Sequence, residues 1–149
     1  MIRFKEIKED IDTLLEAPQA PDGQPQIDPM MMRQKAGEFL MRVRAASTAA
    51  HVSHLTTHSY AQHVAMGSFY EDIIPIIDEF LESFMGRYGI PDAFPPVTEK
   101  NYDPLTILGN LTKWIDVNRA AFPNSELQNI IDEMLTLINR TGYKVRELK

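Results

Sequence analysis

Apolar residues recur at spacings of three and four along most of the chain, which is the period of an α-helix with one buried face. The pattern predicts four long helices. Three of them cover about residues 29–54, 104–122 and 125–141, and the second helix of the chain ends near residue 88. No segment alternates apolar and polar residues in the manner of a β-strand. Four long helices joined by modest loops predict an all-α fold with the architecture of a four-helix bundle.

The predicted helix boundaries carry specific capping residues. Three segments open with such a pattern: Asp28-Pro29, Asp103-Pro104, and Ser125 with Gln128 three residues later. A capping carboxylate before a proline starts a helix, and a serine with a glutamine three residues on forms a capping box. Gly89 and Gly142 are predicted to end the second and fourth helices.

The boundary between the first two helices is less sharply marked. Residues 55–59 are poor helix formers, and either Thr57 or Ser59 could cap a new helix. A short turn is the preferred interpretation here, and a single helix over residues 29–88 is the alternative. Inside the second helix, Pro75 removes one backbone hydrogen bond and is expected to bend the helix.

The same pattern divides the chain into three parts. Residues 1–17 place apolar side chains at helical spacing and predict a short N-terminal helical arm. Residues 18–29 are rich in proline and predict a linker without regular structure. Residues 30–149 then form the four-helix bundle.

Composition narrows the functional classes. The 149 residues include no cysteine, which excludes disulfides, zinc–thiolate sites and cysteine nucleophiles. A net charge of −6 disfavours binding to a phosphate backbone, so nucleic acid is not expected as a partner. No apolar run is long enough to cross a membrane, and the N-terminus lacks the apolar stretch of a signal peptide. A cytoplasmic protein without membrane contact is therefore expected.

Imidazoles and carboxylates are concentrated in the first two predicted helices. All four histidines fall within residues 51–63, and the second helix carries a series of acids. This ligand set suits iron, with zinc or manganese as other divalent metals. Asp78 and Glu82 lie one helical turn apart and could hold one ion together. On one helix His63 and Asp78 would be roughly 22 Å apart, so a shared site needs an antiparallel second helix, which a symmetric copy could supply.

Other residues of the two helices could contribute to such a site. His54, His58 and Glu71 are lower-ranked candidate ligands, because they share helix faces with the candidates above. Clustered histidines on a helix also serve as ordinary hydrogen-bonded residues, and acids on a long helix as a solvated face. Ala61 and Gly67 are small residues that would let two copies of the second helix approach closely.

The order and spacing of four residues resemble the ferroxidase site of Dps-type mini-ferritins. His63 follows His51 by twelve residues. Asp78 and Glu82 then follow His63 by fifteen and nineteen residues. The resemblance implies a ferritin-like four-helix bundle with an iron site shared across a two-fold dimer interface.

The resemblance also implies roles for these residues. His51 and His63 would be nitrogen ligands from one subunit. Asp78 would be a carboxylate ligand and Glu82 a bridging carboxylate from the other. The protein would be a ferroxidase that oxidises or sequesters Fe(II). It would form a homo-oligomer, with a two-fold dimer as the smallest form and a dodecameric shell as the largest.

Departures from that family's pattern support a second hypothesis of a different class. Gly67 stands where the family usually has an acidic ligand, and Val52 where it has a tryptophan. The segment 57–60 offers a competing register in which Ala61 replaces the first ligand. The second hypothesis is a non-enzymatic helical binding or structural protein that kept the fold and lost the oxidase.

Parts of the chain also resemble small phage-encoded helical proteins of unknown function. These parts are Ser59-Tyr60-Ala61 with His63, Phe69-Tyr70, and residues 129–133. This second resemblance implies a viral origin and a ferritin-like fold, and places the protein in the host cytoplasm or the virion. It leaves the activity open.

Overall fold

The computed structural model describes residues 27–149. These residues form four α-helices: α1 Pro29–Thr56, α2 Tyr60–Tyr88, α3 Pro104–Asn118 and α4 Ser125–Glu147. A short 3-10 turn, Arg119–Ala121, joins α3 to α4. The all-α prediction is confirmed for this part of the chain, which contains no strand. The predicted N-terminal arm and most of the predicted linker lie outside the described residues.

The helices form a bundle with one long crossover connection. Helices α1 and α2 are antiparallel, and residues 89–103 then run back along the bundle to the start of α3. Helix α4 begins beside the end of α2, where the Tyr88 hydroxyl bonds the Asn124 side chain. The helices therefore follow an up–down–down–up order with a single crossover, which is one of the connectivities of four-helix bundles.

Local capping explains where three of the helices begin. The Asp28 carboxylate accepts a hydrogen bond from the Met30 amide at 2.9 Å, and Asp103 caps α3 in the same way. Ser59 accepts from the amide of Gln62 at 3.3 Å and starts α2. The predicted turn between the first two helices is therefore confirmed, and the single helix over residues 29–88 is wrong.

The predicted capping box at the start of α4 is wrong. The residue before α4 is Asn124, which makes no capping hydrogen bond to the helix. The Gln128 amide instead donates to the carbonyls of Arg119 and Phe122, at 2.8 and 2.6 Å. The Arg119 carbonyl also accepts from the Phe122 amide at 3.0 Å, so the glutamine adds a second bond to this carbonyl and provides a donor for that of Phe122.

The predicted end of α4 at Gly142 is also wrong. The helix continues to Glu147, because the buried stripe of α4 continues through Gly142 to Val145. A β-carbon at Gly142 would lie 3.9 Å from the Leu108 side chain, so this glycine faces α3. Lys144 and Arg146 thus lie in the last helical turn, where positive charge is favourable.

Aromatic side chains fill the core near the far end of α2. Phe80 packs edge-on against Phe39 and Phe122, with ring centroids 5.0 Å apart in each pair. Gly37 of α1 lets the crossover pass close by, because a β-carbon there would overlap the carbonyl oxygen of Ala93. This close contact holds the crossover against α1.

Among residues 27–149, no helix is long and apolar enough to span a membrane.

Candidate functional site

Two histidines link α1 to α2 by reciprocal hydrogen bonds. The Nδ1 atom of His54 lies 2.7 Å from the carbonyl oxygen of His63. The Nδ1 atom of His63 lies 2.8 Å from the carbonyl oxygen of His54. The two rings stack, with centroids 3.8 Å apart and planes inclined by 23°. We call this arrangement the histidine pair.

The hydrogen bonds determine which ring nitrogen carries a proton. A carbonyl oxygen only accepts, so Nδ1 of both rings must be the donor. In the neutral form, Nε2 then keeps its lone pair, and this is the nitrogen that a metal would bind. Both Nδ1 donors are used in bonds that join α1 to α2. The pair therefore serves first as a structural link between the helices.

A compact hydrogen-bond network supports the turn beside the histidine pair. The Thr57 hydroxyl donates to the Gln62 side chain at 2.9 Å and accepts from the Ser59 amide at 3.1 Å. The Thr57 amide itself donates to the Ser53 carbonyl at 3.1 Å. Because the polar groups of this turn bond one another, the two helix ends are held in a defined geometry.

Gly67 of α2 lies against the His54 ring of the histidine pair. A β-carbon on Gly67 would lie 2.9 Å from Nδ1 of His54 and 3.0 Å from its Cε1. The glycine thus makes room for the His54 ring inside one chain, and its role in a dimer seam stays a prediction. An acidic ligand at this position would displace the ring. Packing against the His54 ring therefore explains why this position lacks the acidic residue of the mini-ferritin motif. The sequence alone does not show this contact.

A second stacked pair continues the cluster along α2. The His51 ring stacks on Tyr70 with centroids 4.3 Å apart, and His54 meets Tyr70 edge-on at 5.6 Å. The Tyr70 hydroxyl donates to Glu71 at 3.2 Å. Partial burial, together with this hydrogen bond to a carboxylate, raises the pKa of Tyr70. Tyr70 therefore stays neutral and packs beneath the histidines, a role that its spacing in the sequence did not reveal.

The other predicted ligands lie apart from this cluster. His58 is exposed in the turn, and Asp78 and Glu82 are exposed on the outer face of α2. The described residues contain no group of three His, Asp or Glu side chains placed to hold one metal ion. A single subunit therefore does not assemble the predicted site. The version shared between two subunits stays a prediction.

The same end of the bundle carries exposed apolar side chains. Leu55 near the end of α1 is 66% exposed, and Tyr60 at the start of α2 is 80% exposed. Val64, one turn after Tyr60 on the same face, is 45% exposed. We call Leu55, Tyr60 and Val64 the apolar tip. Its residues were visible in the sequence, but only the turn geometry places them together.

Comparison with known proteins points to phages. The sequence model described as "Family of unknown function (DUF5856)" matches residues 54–145. The chain is also similar to an uncharacterised 14.6 kDa protein from the mobD-ri intergenic region of Enterobacteria phage T4. The two are 24% identical over 111 residues, which covers 73% of this chain and 86% of the phage protein. No solved structure matches. These similarities agree with the resemblance to phage helical proteins and do not support the mini-ferritin assignment.

Proposed function

We propose that this chain, which belongs to the DUF5856 family, is a phage-type helical protein that acts by binding a protein partner and not by catalysis. The observation that carries the proposal is the apolar tip. Three apolar side chains, between 45% and 80% exposed, lie at the end of the bundle where the turn joins α1 to α2. The protein would act in the host cytoplasm or as a component of the virion.

The chemistry of the tip suits protein recognition. A tyrosine offers a large apolar ring and a hydroxyl with few rotatable bonds, so ordering it in an interface costs little entropy. Tyr60 follows directly on the capped turn, and the histidine pair holds the two helix ends together. The tip is thus presented on a rigid support, which lowers the entropic cost of binding.

The use of the histidines supports a binding protein over an oxidase. Both Nδ1 atoms of the histidine pair bond backbone carbonyls, and the His51 ring stacks on Tyr70. Three of the four histidines thus have packing roles within one chain. These roles account for the histidine cluster without a metal.

Site-specific photocrosslinking tests the proposal. A benzophenone amino acid is placed at Val64, in the tip, and as a matched control at Tyr143, which is 55% exposed on α4. After irradiation of cells that produce the protein, we expect a discrete cross-linked species from position 64 and none from position 143. The added substitution Tyr60→Ser should abolish the species. The same products from both positions, or products that survive Tyr60→Ser, would contradict the proposal.

An iron site between two subunits is the second candidate function. Its support is the exposure of His63, whose Nε2 atom is left unbonded by the histidine pair, together with exposed Asp78 and Glu82 on the same helix. Two antiparallel copies of α2 that cross near Glu71 would bring the imidazole of one towards the carboxylates of the other. The carboxylates would repel one another in such a dimer unless a cation lay between them.

Native mass spectrometry after anaerobic Fe(II) loading distinguishes the two candidates. The iron-site hypothesis predicts a dimer or larger oligomer that carries iron. The bound iron should be lost in both His63→Ala and Asp78→Ala. A species that stays free of iron would eliminate the second candidate. Iron retained by both variants would do the same, since these residues would then not be the ligands.

A further inference from the structure

A pocket of about 480 Å³ lies between α3, α1 and the crossover, away from the apolar tip. Trp114, the one tryptophan of the chain, is among the residues that line it. The Trp114 indole N–H donates to Glu38 at 3.0 Å, and its ring stacks on Phe39 with centroids 5.1 Å apart. The indole is therefore held in one orientation before any ligand arrives.

Positive charge is concentrated around this pocket. Arg42, Lys100 and Lys113 line it, in a chain with a net charge of −6. Among the described residues, Lys100 and Lys113 form no ion pair, whereas Arg42 contacts Glu38 at 3.3 Å. The one lining carboxylate, Glu99, accepts hydrogen bonds from Asn110 at 3.2 and 3.3 Å. The pocket thus has two exposed cations available for an anion.

The pocket-facing residues of α3 form a single stripe. Asn110, Lys113, Trp114 and Val117 lie at i, i+3, i+4 and i+7, so they share one helix face. Val117 is 72% exposed although it is apolar. Exposed apolar surface of α3 therefore shares one helix face with the Asn110 amide and the Lys113 ammonium group.

We infer that this pocket binds a small planar anion of the nucleoside monophosphate class. Its volume falls within the usual range for small-molecule sites, about 300–1,000 Å³. A base can stack on an indole ring, and a phosphate pairs with lysine and arginine. The Asn110 amide group donates to Glu99, so its side-chain oxygen would be the atom that accepts a hydrogen bond from the ring edge. The inference goes beyond the proposed function, because it concerns a different surface from the apolar tip.

The single tryptophan makes the inference directly testable. Adenosine monophosphate is titrated into the full-length protein, and fluorescence is excited at the red edge of tryptophan absorption, where adenine does not absorb. We expect saturable quenching that weakens as salt is added, because the contact is ionic. Adenosine without phosphate should bind more weakly, and inorganic phosphate should compete.

Matched lysine variants locate the site. Both Lys100 and Lys113 are exposed, so Lys100→Ala and Lys113→Ala should fold normally, which circular dichroism checks. Each should weaken binding by about tenfold, the usual loss of one bond to a charged group. Lys144→Ala on α4 removes the same charge outside the pocket and should leave the affinity unchanged. Absence of saturable quenching at millimolar nucleotide, or equal weakening by all three variants, would overturn the inference.

Tighter binding of a short single-stranded oligonucleotide than of the mononucleotide would also overturn it. That result would assign the pocket to nucleic acid. Failure of the nucleotide titration would leave the crosslinking test of the apolar tip unaffected, so the two proposals stand or fall separately.

Discussion

Gly67→Ala tests the packing of the histidine pair. Alanine in a helix is normally about 1 kcal/mol more stable than glycine. At Gly67, however, the new β-carbon would meet Nδ1 of His54 at 2.9 Å. The ring must retreat by about 0.5 Å or more to reach an ordinary contact distance. This movement lengthens the 2.7 Å bond from His54 to the carbonyl of His63 and presses the two stacked rings together.

The magnitude follows from the contacts that the ring would lose. Forcing a β-carbon into this contact costs about 1–3 kcal/mol, the usual range for overpacking, and the lengthened bond from His54 Nδ1 accounts for about 0.5–1.5 kcal/mol of it. Subtracting the helix-propensity gain of about 1 kcal/mol leaves Gly67→Ala destabilising by about 1 kcal/mol. Gly86 of the same helix has no atom within 4 Å of a built β-carbon. Gly86→Ala should therefore stabilise the protein by nearly 1 kcal/mol.

Urea denaturation of four variants measures the effect. The free energy of unfolding should fall for Gly67→Ala and rise for Gly86→Ala. In a His54→Ala background the obstructing ring is gone, so adding Gly67→Ala should stabilise the protein. The double-mutant cycle should then give a coupling energy of about 2 kcal/mol between positions 54 and 67. Equal stabilisation by alanine at 67 and 86 in the wild-type background would refute the packing argument.

Three further predictions concern the bundle. Gly37→Ala should destabilise the protein by about 3 kcal/mol, because the new β-carbon would overlap the backbone carbonyl of Ala93, which cannot shift without moving the chain. Limited proteolysis should then cleave the crossover faster than in the wild-type protein. Gln128→Glu should cost about 1–3 kcal/mol in thermal or urea unfolding. The carboxylate keeps an acceptor for the Arg119 guanidinium but cannot donate to the carbonyls of Arg119 and Phe122. Burial raises the pKa of Glu38, but hydrogen bonds and charge from one tryptophan, one lysine and one arginine outweigh this, so the net pKa is lowered. A lowered folded-state pKa adds stability that is present above the ordinary value of 4.5 and is lost as pH falls through the folded value. Glu38→Gln should thus cost about 0.5–1 kcal/mol at neutral pH and much less near pH 3, and a pH-independent difference would contradict this.

Helix existence and most helix starts could be read from the sequence, because their causes are local. The Asp28-Pro29 and Asp103-Pro104 pairs predict helix starts through contacts within three residues, and both are confirmed. The wrong capping box and the wrong end of α4 have causes outside the local helix pattern. Gln128 turns back to bond a preceding 3-10 turn, and Gly142 packs towards another helix. A local pattern cannot contain either contact.

The candidate site divides in the same way. Sequence alone located the histidines and the outer acids, and it predicted a turn between the helices that carry them. The pairing of His54 with His63 depends on the rotation of two helices around the Thr57–Ser59 turn, which the tertiary structure decides. In the sequence, Gly67 stands where the mini-ferritin motif has an acidic ligand. In the folded chain, the absence of a side chain at Gly67 leaves room for the His54 imidazole.

The sequence by itself determined the class of fold, since the spacing of apolar residues and the capping pairs act over a few residues. Tertiary structure decided which side chains meet, since contacts between helices depend on their crossing and register. His54, Tyr70 and Gly67 become one packed cluster only when α1 lies on α2. Trp114 comes to line a pocket with three cationic side chains only when the crossover brings Lys100 beside α3. Such contacts join residues that are far apart in the sequence, so no periodic pattern of apolar and polar residues reveals them.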